Sequence, residues 1–112
     1  MSWVKQARRA LARGESVTVR PHGGSMRGRI ESGDLVRLVP ASVDDIQPDD
    51  IVFVRWKGNY LLHLALKVES SCILIGNNLG KINGWVRAAD ALGKVNESTF
   101  DPLLSRPARR SP

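Results

Sequence analysis

The chain has 112 residues, of which 42% are apolar and 25% are charged, and these values are typical of one globular domain with a modest core. No apolar run is long enough to span a membrane, and the N-terminus lacks the apolar core of a signal peptide, so a soluble, cytoplasmic protein is expected. Much of the net charge of +6 lies near the two ends of the chain. Such charge can attract nucleic acid or anionic lipid. Because helix-turn-helix, zinc-finger and basic-aromatic patterns are missing, we expect the charge to be solvated, with no nucleic-acid partner and at most weak contact with an anionic membrane.

Residues 1–14 are predicted to form an N-terminal helix. Ser2 is a candidate N-cap, and apolar residues recur at helical spacing from Trp3 to Leu11. Gly14 supplies a stop signal.

Residues 15–95 are predicted to form a mostly β domain. A first strand is expected from Val17 to Pro21, and others at 35–39, 51–56, 60–68 and 72–75. A short strand starts at Trp85, and a last one at 92–95 closes the sheet. Lys57-Gly58-Asn59 has the composition of a hairpin turn. Short strands separated by glycine and proline are typical of a compact barrel or coiled sheets. Residues 96–112, with prolines among serines and arginines, are expected to be a mobile C-terminal extension.

A glycine pair, Gly23-Gly24, directly precedes Ser25 in a segment that runs on to Gly33 and Asp34. Glycine permits positive φ and close approach of the backbone to another group, which suits a nucleophilic hydroxyl. Glycine and serine are also common in ordinary turns, so this segment alone leaves both interpretations open.

A nucleophilic serine needs a base, and His63 is the first candidate. It lies in the middle of the fourth predicted strand, where alternation places it on one face with Leu61 and Ala65. On spacing alone, a histidine in such a place is more often structural than catalytic.

Three other residues are alternative bases. His22 is three residues before Ser25 on the same loop, and it is expected to point elsewhere. Lys57 is expected to be solvated in the hairpin turn, and Lys67 to lie near the end of the strand. The single Cys72 lies in an apolar run and is expected to be a core residue.

Four groups of residues carry a resemblance to a known family. They are Gly24-Ser25-Met26 with Ile30 and Gly33-Asp34-Leu35-Val36; Ile46 to Val54; Leu61-Leu62-His63; and Gly76-Asn77-Asn78 with Trp85-Val86 and Gly93-Lys94-Val95. In order and spacing they resemble the superfamily of serine peptidases that joins LexA-type self-cleaving repressors and type I signal peptidases. The histidine-base branch, which is similar to signal peptidases, is the nearer one.

The resemblance implies the compact coiled-sheet fold of that superfamily and an acyl-transfer site. Ser25 would be the nucleophile and its backbone N–H the oxyanion donor, and His63 would be the general base. Gly24 and Met26 would contact the substrate. Asn83 is a candidate for orienting the histidine, at a position where the family carries an aspartate.

Further departures from the family pattern are Asp49 in place of glycine, Gly28 in place of proline and Leu64 in place of arginine. The implied function is a serine endopeptidase that cleaves a leader or propeptide of another protein, without metal or cofactor. The alternative is a weakened or inactive peptidase fold that serves as a peptide- or protein-binding module. Neither the substrate nor the oligomeric state follows from the sequence.

Overall fold

The structure is a computed structural model that describes residues 3–21, 30, 34–78 and 80–96. The elements are α1 (Trp3–Ala12), β1 (Val17–Val19), β2 (Val36–Pro40), β3 (Ile51–Trp56), β4 (Asn59–Val68), β5 (Cys72–Gly76), β6 (Ile82–Arg87) and β7 (Ala91–Val95), with short 3₁₀ helices at Val43–Asp45 and Ala88–Asp90. All strand pairs in this part of the chain are antiparallel, and they form one sheet in the order β1-β2-β7-β3-β4-β5-β6. The prediction of a mostly β fold with one N-terminal helix is confirmed.

Helix α1 forms because its apolar residues recur along one stripe, and this stripe packs on the sheet. Ala7 and Leu11 are buried, and Trp3 and Val4 are half-buried. The helix ends where Gly14 adopts a φ of 74° and its N–H donates to the carbonyl of Leu11. The candidate N-cap Ser2 lies outside the described residues.

The sheet is apolar on both faces, so it carries two clusters of buried side chains. The helix-side core consists of Ala7, Leu11, Val19, Ile30, Val36, Leu38, Ile51, Phe53, Leu62, Leu64 and Val95. The far-side core consists of Ile46, Val52, Val54, Ala65, Ile73, Ile75, Val86 and Ala91. Successive residues of β3 alternate between the two cores, which is the pattern of a strand that is buried on both faces.

The sheet is coiled but not closed. A Cβ added at Gly84 of β6 would lie 2.7 Å from the ring of Trp56 on β3, although β4 and β5 separate these strands in the sheet. The two strands approach each other because the sheet curls around the far-side core. The ends of the sheet, β1 and β6, remain unpaired with each other.

Two strands differ from the sequence-based prediction. β6 begins at Ile82, three residues earlier than expected, and its pairing with β5 is irregular next to Gly76. β7 does not close the sheet at an edge, because it lies between β2 and β3. The predicted mobile extension 96–112 lies outside the described residues beyond Asn96, whose N–H donates to the carbonyl of Arg37.

Candidate functional site

His63 is a buried polar side chain in the middle of the sheet. It lies in β4 opposite Val52 of β3, and only 7% of its surface is exposed. Its neighbours Leu62 and Leu64 belong to the helix-side core, and Ala65 belongs to the far-side core. Strand alternation therefore places the imidazole on the far side, as the sequence predicted.

The backbone carbonyl of Leu62 determines which imidazole nitrogen of His63 carries the proton. The Nδ1 atom of His63 is 2.6 Å from this oxygen. Because a carbonyl oxygen can only accept a hydrogen bond, Nδ1 carries the proton, and in the neutral ring Nε2 keeps its lone pair. A neutral imidazole in this tautomer can take a proton from a hydroxyl group at Nε2.

The surroundings of His63 keep the ring neutral. Burial is the main cause that lowers the pKa of His63 below its ordinary 6.5, and the positive charge of Lys81 lowers it further. The hydrogen bond to Leu62 opposes the shift but does not reverse it. At neutral pH the side chain is therefore an uncharged proton acceptor.

Lys81 reaches the neighbourhood of His63 through the turn that follows β5. Gly76 pairs with Leu64, so the chain leaves β5 beside the histidine. The N–H of Asn77 donates to the carbonyl of Lys81 at 2.9 Å, and the Oδ1 of Asn77 accepts from the N–H of Lys81 at 2.9 Å. No sequence pattern indicated that the charge of Lys81 would lower the pKa of His63, because this effect depends on the pairing between β4 and β5.

The turn that precedes β3 is also hydrogen-bonded to β4. The N–H of Asp49 donates to the carbonyl of Ala65 at 2.7 Å, and the N–H of Ala65 donates to the carbonyl of Asp50 at 2.8 Å. Asp49 has a φ of 80°, in the left-handed region that favours glycine. A glycine at this position would adopt the same φ with less strain than the aspartate.

The predicted nucleophile Ser25 and the predicted substrate-binding residues Gly24 and Met26 lie outside the described residues, as does His22. On the two sides of this segment, Pro21 and Ile30 are buried, and Ile30 belongs to the helix-side core. That core also contains Leu62 and Leu64, whereas the ring of His63 lies on the other face of β4.

Asn83, the candidate for orienting the base, lies in β6 next to the irregular pairing with β5. Its Oδ1 atom is buried and has no hydrogen-bond partner among the described residues. The observed partner of the His63 Nδ1 is instead the carbonyl of Leu62.

The other candidate groups occupy different environments. Lys57 and Lys67 are both exposed, so neither is desolvated as a lysine base requires. Cys72 is half-buried rather than a full member of a core, and its Sγ lies 4.0 Å from a carboxylate oxygen of Glu69. Among the residues that the structure describes, no three histidine, cysteine, aspartate or glutamate side chains lie together as a metal site.

The helix in the described part of the chain is too short and too polar to cross a membrane. Comparisons of the chain with protein-family models, curated proteins and solved structures found no significant match. The relation to the LexA and signal peptidase superfamily is therefore a hypothesis that depends on the motifs alone.

Proposed function

We propose that this chain is a serine endopeptidase-like protein in which Ser25 is the nucleophile and His63 is the general base. The observation that carries the proposal is the buried, neutral His63, with Nδ1 held by the Leu62 carbonyl and Nε2 left as the accepting nitrogen. The assignment of Ser25 as the nucleophile depends on the resemblance of its segment to the nucleophile motif of the peptidase superfamily.

In the proposed reaction, the Oγ of Ser25 attacks a peptide carbonyl while its proton passes to the Nε2 of His63. The resulting imidazolium returns this proton to the leaving amine as the acyl-enzyme forms. Water then attacks the acyl group while His63 takes one of its protons, and His63 returns this proton to the Oγ of Ser25 as the bond to the acyl group breaks and the carboxylic acid product leaves. The backbone N–H of Ser25 is the proposed donor to the oxyanion.

The proposed substrate is an extended segment of another protein, such as a leader or propeptide. β1 is an end strand of the sheet, and the chain passes from it through Pro21 into the segment that holds Ser25. A peptide added along the outer edge of β1 would form backbone hydrogen bonds and run toward this segment.

One observation favours the alternative of a non-catalytic peptide-binding module. The group that holds the His63 Nδ1 is a neutral carbonyl, whereas a catalytic triad has a carboxylate there. A carbonyl orients the ring but provides no negative charge to stabilise an imidazolium. This difference predicts a slow enzyme at best.

A fluorophosphonate probe tests the proposal, since an activated serine displaces fluoride and forms a bond to phosphorus. The wild-type protein should be labelled, and Ser25→Ala should abolish labelling. His63→Gln, which is close in size to histidine, should slow labelling by about a hundredfold or more. Ser70→Ala, a change at an exposed serine, is the matched control and should label like the wild type.

The pH profile separates a base from a structural histidine. The rate of labelling should fall as pH drops through the pKa of His63, which burial holds below its ordinary 6.5, because protonation of the ring removes the acceptor nitrogen. A folded wild-type protein that is not labelled would overturn the peptidase proposal and favour the binding module. Thermal melts of all variants establish that each one is folded.

A further inference from the structure

A basic groove lies between helix α1 and the sheet, on the face opposite to His63. It has a volume of about 400 Å³ and is lined by Lys5, Arg8, Arg9, Ala12, Tyr60 and Leu92. Tyr60 packs against the helix-side core, whereas alternation along β4 places His63 on the far side. The groove and the imidazole of His63 therefore lie on opposite faces of the sheet.

Three cations line the groove without an acidic residue among its described walls. Arg8 and Arg9 lie three and four residues after Lys5, so the three side chains share one exposed face of α1. The helix has no acidic residue in its first turn that could neutralise them. The positive charge of these walls is not neutralised by an acidic wall residue, so it attracts an anionic ligand.

The floor of the groove is apolar. Leu92 and Tyr60 are half-buried and come from β7 and β4. A ligand that fills the groove must therefore cover apolar atoms while it meets the cations at the rim. A peptide with acidic side chains next to an apolar one satisfies both conditions, and arginine pairs with carboxylates in bidentate geometry.

The arrangement around Tyr60 argues against single-stranded nucleic acid. The guanidinium carbon of Arg8 lies 4.5 Å from the Tyr60 ring centre, and Phe53 stacks on Tyr60 with ring centres 5.9 Å apart and planes at 23°. With Arg8 over the ring and the buried Phe53 stacked against it, a base would have to compete with Arg8 in order to stack on Tyr60.

A membrane surface is also disfavoured as the partner. The apolar stripe of α1, including Ala7 and Leu11, is packed into the helix-side core, so it is not available for insertion between lipids. A concave groove also offers less contact to a flat bilayer than to a chain segment that enters it.

We propose that the groove formed by Lys5, Arg8, Arg9, Tyr60 and Leu92 is a docking site for an acidic segment of a partner protein. The proposal does not depend on peptidase activity, because no groove residue takes part in the proposed chemistry.

Fluorescence anisotropy with a labelled peptide of Glu-Glu-Leu-Glu repeats tests this site. The peptide should bind the full chain and bind more weakly as salt is added. The same peptide with glutamine in place of glutamate should not bind. Lys5→Glu combined with Arg9→Glu should weaken binding by about tenfold or more, since attraction becomes repulsion at two positions.

The matched control places the same two charge reversals elsewhere. Arg37→Glu combined with Lys67→Glu changes two exposed residues that do not line the groove. Both double variants lower the net charge by the same amount, so only the groove variant should lose binding if the site is local. Equal loss in both variants would overturn the proposal and leave a general charge effect.

Two further ligands complete the test. Stronger binding of single-stranded oligothymidine, or of vesicles that contain phosphatidylserine, than of the acidic peptide would also overturn the proposal. Ser25→Ala should keep the peptide affinity of the wild type, so failure of the docking site and failure of the peptidase proposal give different results.

Discussion

The Nδ1–H group of His63 donates to the carbonyl oxygen of Leu62 across 2.6 Å, so the residue that precedes the histidine orients its ring. This bond is made within a single strand and needs no third side chain. It gives the imidazole the tautomer that a triad obtains from an aspartate, without the aspartate's charge.

The first prediction concerns pH and stability. The pKa of His63 is lower in the folded protein than its ordinary value of 6.5, which applies to the unfolded chain. As pH falls below 6.5, His63 is therefore protonated in more of the unfolded molecules than of the folded ones. The stability gained from neutral His63 is present above 6.5 and is lost as pH falls through the folded-state pKa, with a slope of at most about 1.4 kcal/mol per pH unit. Urea denaturation across this range measures it.

The variant His63→Gln should remove this part of the pH dependence. His22→Asn serves as the control, because it removes the other histidine of the chain and leaves His63 in place. If the two variants show the same loss of slope, the decline does not come from the burial of His63.

The second prediction concerns Asn83. Because the Nδ1 of His63 is already bonded to Leu62, Asn83→Ala should change the fluorophosphonate labelling rate by less than about threefold. The substitution also removes a buried oxygen that lacks a partner among the described residues, so it should not lower the free energy of unfolding. A large loss of labelling in a folded Asn83→Ala protein would instead establish Asn83 as the orienting residue.

The third prediction concerns the hairpin between β3 and β4. Lys57 and Gly58 have φ values of 50° and 81°, the left-handed pair of a type I′ turn. Asparagine tolerates this conformation better than lysine, so Lys57→Asn should raise the free energy of unfolding by about 0.5–1 kcal/mol. Chemical denaturation measures the change.

Gly58→Ala should lower the stability by about 1 kcal/mol, because alanine disfavours positive φ. If Lys57→Asn is destabilising, the contact of the Lys57 ammonium group with the Trp56 ring, at 5.3 Å, outweighs the backbone preference.

The fourth prediction concerns the close approach of β2, β7 and α1. A Cβ at Gly93 would lie 2.5 Å from the carbonyl oxygen of Val39 and 3.0 Å from the Cδ1 of Leu11. Gly93→Ala should therefore cost about 1–3 kcal/mol and lower the melting temperature by several degrees. An unchanged melting temperature would contradict the packing of β7 between its neighbours.

Local patterns predicted most of the secondary structure. Alternation and turn residues placed β3 and β4 within a residue of their observed bounds, since these signals act between neighbours in the chain. β6 was predicted too short because Asn83 and Gly84 interrupt its apolar pattern, and Gly84 has a φ of 149° at the contact with Trp56.

The sequence by itself determined a mostly β domain with an N-terminal helix, and it led to the prediction that His63 is the general base. Tertiary structure alone decided that the His63 ring is buried and neutral beside Lys81, and that α1, β4 and β7 form a basic groove. These features depend on contacts between residues far apart in the chain, above all the insertion of β7 between β2 and β3. Periodicity along a chain carries no information about such contacts, because it reports only which face of an element is buried.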